Sequence, residues 1–74
     1  MVTSKIENNY LKIFIDDTLH LAVDTTKLRG IQAWLYTEDF LYIQYYLSDT
    51  KIKCEYNSPK IWKEVLTELQ NIAI

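Results

Sequence analysis

The chain is expected to fold as an α+β domain, an antiparallel meander of about five strands with one C-terminal amphipathic helix packed on one sheet face. Three observations lead there. Apolar residues alternate with polar ones in several short runs, the mark of half-buried strands. Clusters of Asp, Thr, Ser and Glu separate those runs as turns do. From Pro59 onward the apolar spacing changes to three and four, which places one stripe along a helix.

Residues 1–9 are polar and are expected to form a flexible N-terminal segment ahead of a single domain at 10–74. The first strand, 10–15, puts Leu11, Ile13 and Ile15 on one face. After a turn at Asp16-Asp17-Thr18, the second strand, 19–23, repeats the pattern with Leu19, Leu21 and Val23. A loop from Asp24 ends at Gly30, the only glycine, where a positive φ costs little. The third strand, 31–36, carries Ile31, Ala33 and Leu35, and Thr37-Glu38-Asp39 turns it into a fourth, 40–47. Ser48 to Lys51 turns again into the fifth, 52–57, with Ile52, Cys54 and Tyr56 inward.

Register follows from parity, because a slip of one residue would move a whole row to the other face. The pairs expected are Ile15 with Leu19, Ile13 with Leu21, Leu35 with Leu41, Ala33 with Ile43, Ile31 with Tyr45, Leu47 with Ile52, and Tyr45 with Cys54. The helix spans 59–72. Ser58 is its N-cap, and Pro59 occupies the first position, where the missing N–H removes no helical bond. Ile61, Trp62, Val65, Leu66, Leu69 and Ile72 make the stripe that covers the core face.

Size and composition narrow the functional classes. A chain of 74 residues buries only about 60% of its unfolded surface, so a second chain is a natural supplement to its core. With Cys54 the sole cysteine there is no internal disulfide, which suits a reducing cytoplasm. Cys54 and His20 have no zinc-site spacing, so neither a metal nor another cofactor is expected. No apolar run is long enough to span a bilayer, no signal peptide is evident, and a membrane partner is not expected. The net charge of −2 argues against a duplex DNA binder.

No catalytic residues are expected either. His20, the one histidine, alternates onto the second face with no serine or cysteine beside it, while Cys54 points to the core. Gly30 stands alone and cannot cradle phosphates. The acidic turns, Asp16-Asp17 and Glu38-Asp39, would share one end of a simple meander, as ordinary solvated turn residues.

What calls for a binding explanation is the second sheet face. It carries Phe14, Trp34, Tyr36, Phe40, Tyr42 and Tyr46, with Lys12, Gln32, Gln44 and Lys53 as polar contacts among them. Aromatic pairs across strands stabilise sheets by roughly 0.2–1 kcal/mol each, which accounts for some of these rings. Several large rings on one open face also make a patch of the size that marks interaction sites. The expected role is a small non-enzymatic protein-interaction module, self-associating as a dimer through that face or an edge strand. A heterologous protein partner is the next expectation, and single-stranded nucleic acid or a nucleotide the alternative. In size and make-up the chain resembles phage- or mobile-element-encoded inhibitors and immunity proteins.

Overall fold

The computed structural model describes residues 1–72 and has an α+β fold. Six strands precede one helix: β1 (Val2–Glu7), β2 (Tyr10–Ile15), β3 (Thr18–Asp24), β4 (Leu28–Leu35), β5 (Leu41–Leu47), β6 (Thr50–Tyr56) and α1 (Pro59–Ile72). They form two antiparallel three-stranded sheets, β1-β2-β3 and β4-β5-β6, in place of the single five-stranded meander expected.

The sixth strand comes from the segment expected to be flexible. Within 1–9, Val2 pairs with Ile15, Ser4 with Ile13 and Ile6 with Leu11. Asn8 and Asn9 close the hairpin with φ of 54° and 67°, the two successive positive values of a tight primed turn. Asparagine tolerates that conformation better than most residues. The segment reads as polar because β1 is an edge strand, with every residue after Val2 exposed.

The sheet divides at 25–27. Thr25 N–H donates to Asn9 C=O at 2.9 Å, while Ser48 N–H donates to Lys27 C=O at 3.0 Å. The link is thus tied to the first sheet at one end and to the second at the other, and β3 never pairs with β4. Asp24 shapes the turn by accepting from Thr26 N–H and Thr26 Oγ1 at 2.9 and 2.7 Å. Those bonds hold its carboxyl below the ordinary range.

Two hairpin turns are shorter than expected. Asp16 and Asp17, at φ 50° and 67°, form a two-residue turn that sets Ile15 opposite Thr18 in place of Leu19. A register shift at Ile13/Phe14 then restores Ile13 opposite Leu21 but puts Phe14 opposite Leu19, leaving His20 as the extra residue of a bulge. Leu19 is consequently 52% exposed, outside the core row assigned to it. Ser48, at φ 57°, likewise closes a two-residue turn, so Leu47 meets Thr50, Tyr45 meets Ile52 and Ile43 meets Cys54. That slip from the expected pairs is by two residues, so every inward side chain stays inward.

β4 begins at Leu28, three residues earlier than expected, because Gly30 lies within the strand. Arg29 pairs with Tyr46 and Gln32 with Gln44, so Gly30 and Ile31 together oppose Tyr45 and the expected Ile31–Tyr45 pair is lost in the bulge. Gly30 has φ 66°, and a Cβ there would lie 3.0 Å from Tyr46 Cδ1. Only glycine combines that backbone with a ring so close.

The helix follows its sequence signals. Ile61 N–H donates to Ser58 Oγ at 3.5 Å and Trp62 N–H to Ser58 C=O at 3.0 Å. Val65 and Leu69 are completely buried against inward residues of both sheets, among them Ile13, Val23, Ile43 and Tyr45. Trp62 Nε1 donates to Tyr42 C=O at 3.4 Å and fastens the helix to β5. Leu35 lies outside this cover and is 70% exposed, although its parity matches the core row.

Candidate interaction surface

The β4–β5 hairpin builds the surface. Leu35 opposite Leu41 fixes the register, Trp34 then falls opposite Tyr42, and Gln32 falls opposite Gln44. Tyr36 lies just past the strand, yet its N–H donates to Phe40 C=O at 2.7 Å and keeps the two rings level. Thr37 tightens the turn, its C=O accepting from Phe40 N–H at 3.4 Å and its Oγ1 from Asp39 N–H at 3.3 Å.

Four rings meet there. Trp34 and Tyr42 have centroids 5.1 Å apart, Tyr36 and Phe40 6.3 Å, and Tyr36 and Tyr42 6.2 Å. The Tyr36–Phe40 contact is edge-on and the other two are tilted, all within the centroid range of aromatic pairs. The cluster is open to solvent, with Tyr36 72% exposed, Phe40 41% and Trp34 39%. Lys53 Nζ stands 4.3 Å from the Tyr42 ring centroid and 3.8 Å from Glu55, placing a cation at its border.

The remaining expected residues lie elsewhere. Phe14 is in the first sheet with Lys5 Nζ 6.0 Å from its ring centroid, and Lys12 donates to Glu7 at 2.8 Å. Tyr46 covers Gly30 near the far end of β5. Trp34, Tyr36, Phe40, Tyr42, Gln32 and Gln44 share one hairpin surface with Lys53 of β6 at its border, whereas Phe14, Lys12 and Tyr46 are not part of the ring cluster. Leu35 was missed, because alternation alone assigns it to the core; its place beside the turn was the available signal.

His20 is also displaced. It is the extra residue of the β3 bulge and stays exposed, with Nε2 2.8 Å from Tyr56 Oη and the ring edge-on to Tyr56. Cys54 is half-buried on β6, two residues before Tyr56 and opposite Ile43. Burial holds His20 below its usual pKa and pushes Cys54 and both tyrosines up. At neutral pH these groups are all uncharged, a satisfied polar seam with no thiolate.

Two surface clefts among the described residues lie elsewhere, one between Val2 and helix residues including Glu64 and Glu68, the other around Tyr10, Asp24 and Thr50. Among the described residues no group of three His, Cys, Asp or Glu is placed to hold a metal ion. The two acidic turns belong to different sheets, and Asp16 lies 2.5 Å from the Met1 amino group, which lowers its carboxyl pKa. No described helix is long and apolar enough to cross a membrane.

Fold and surface together define a small α+β protein with an exposed aromatic hairpin. Comparison of the chain with protein-family models, curated proteins and solved structures finds no match.

Proposed function

We propose that the protein is a non-enzymatic cytoplasmic interaction module that acts by contact with another macromolecule, a second copy of its own chain being the first occupant. The carrying observation is the open cluster of Trp34, Tyr36, Phe40 and Tyr42, set apart from the helix-covered core. Large rings already ordered against one another lose little entropy on contact, and Trp and Tyr dominate binding hot spots. A blocking role, of the kind phage- or mobile-element-encoded inhibitors and immunity proteins perform, suits a small chain with this surface.

Trp34→Ala tests the reading. Loss of a hot-spot ring should weaken association by about 2 kcal/mol or more, while the melting transition loses no more than about 1 kcal/mol. Unchanged association with a large loss of stability would return the ring to a structural role.

Lys53 beside Tyr42 supports a second reading, stacking of single-stranded nucleic acid on the rings. Its pairing with Glu55 offsets that cation and ranks this reading lower. Tryptophan quenching by oligonucleotides that weakens with salt would favour it, and flat titrations at low salt would remove it.

A further inference from the structure

Among the described strand edges, β4 has the longest uncharged run clear of a bulge. β6 has β5 on one side only, and its outward backbone belongs to Lys51, Lys53 and Glu55. β1 carries Lys5 and Glu7, and β3 is broken by its bulge and ends at Asp24. Such charges and bulges are how native edges resist strand addition. Between the Gly30 bulge and the Thr37 turn, β4 has no charged residue at all.

The hydrogen-bond phase of this run is fixed at both ends. Tyr36 N–H donates to Phe40 C=O, and Ser48 N–H donates to Lys27 C=O. In an antiparallel ladder, alternate residues bond to the same neighbour. Gln32 and Trp34 therefore direct their backbone groups to β5, and Ile31, Ala33 and Leu35 turn theirs outward with no strand among the described residues to receive them.

We infer that β4 pairs antiparallel with β4 of a second copy about a two-fold axis at Ala33, joining two second sheets into one of six strands. The inference rests on the interaction reading above and assigns its occupant and register. Ala33 is the midpoint of the straight run, so the axis there pairs the whole run with itself. Ala33 bonds Ala33 of the second copy, and Leu35 falls opposite Ile31, both with outward backbone and both on the core side. Leu35 gains the cover it lacks. Trp34 falls opposite Gln32, so the two aromatic clusters lie on one continuous face. Charge agrees with this register: Arg29, just before the bulge, comes beside the Thr37–Asp39 turn of the second copy with its Glu38 and Asp39. Neither acidic residue has an ion-pair partner among the described residues of its own chain.

Sedimentation equilibrium of the full chain tests this with four variants. Leu35→Lys, at a site already exposed, should fold as judged by circular dichroism and be monomeric. Arg29→Glu should raise the dimer dissociation constant roughly tenfold, and Arg29→Glu/Glu38→Arg should bring it back to within about threefold of the parent. Tyr42→Ala, one strand in from the edge, should weaken dimerisation less than Leu35→Lys does. A dimer lost in Tyr42→Ala but unmoved by Leu35→Lys and the charge exchange would overturn edge pairing and leave an aromatic face-to-face dimer. A parent chain monomeric at every concentration would overturn edge pairing and self-association together.

Discussion

His20 Nε2 and Tyr56 Oη meet at 2.8 Å, linking the outer strand of the first sheet to the outer strand of the second. No backbone ladder joins these strands, so the contact is a side-chain seam between two otherwise separate meanders. His20 is the residue that the β3 bulge leaves unpaired in the ladder.

The seam makes stability depend on pH. Burial lowers the His20 pKa below 6.5 in the folded chain, so the unfolded chain binds the proton more readily. This contribution is complete above the unfolded pKa and is lost as pH falls from there through the folded value. The melting temperature of the parent should drop between pH 7.5 and 5.5, and that of His20→Gln should drop less. Equal drops in both would remove His20 as the cause.

Gly30→Ala should destabilise by about 1–3 kcal/mol, the usual cost of forcing a side chain into a positive-φ conformation. The Tyr46 ring adds a steric component, since the new Cβ would approach Cδ1 to 3.0 Å. Urea melts of Gly30→Ala and Gly30→Ala/Tyr46→Ala separate the two. If neither loses stability relative to its glycine counterpart, the bulge assignment is wrong.

Leu69→Ala should cost about 2–5 kcal/mol, because the side chain is completely buried where helix and sheets meet. Leu66→Ala, half-buried on the same helix, should cost less. The ratio of the two in denaturant melts checks the helix rotation, and a larger loss at Leu66 would contradict it.

Much of this arrangement is legible in the sequence. Period-two parity finds Leu11, Ile13, Val23, Ile43 and Tyr45 as core, and three- and four-residue spacing finds Val65 and Leu69. The Trp34–Tyr42 and Gln32–Gln44 pairs follow from one hairpin register. Parity survives a turn misread by two residues, as at Ser48, but not a bulge, which is why Leu19, assigned to the core row, is exposed. Nor does it reveal β1, whose Asn8-Asn9 turn signal precedes any strong apolar alternation. The division into two sheets depends on where Thr25 and Lys27 find hydrogen-bond partners, which no local pattern encodes. Phe14 and Tyr46 share the parity of the ring cluster but lie on another sheet and at another end.

If the second sheet meets another copy of the chain, its mass in solution depends on concentration. Light scattering across a hundredfold dilution series of the parent chain reads that mass. One short strand from each copy is a small interface, so the mass should fall from twice the 8.8 kDa chain toward one chain as dilution passes through roughly micromolar concentrations. A mass fixed at 8.8 kDa, even in the most concentrated sample, would contradict it.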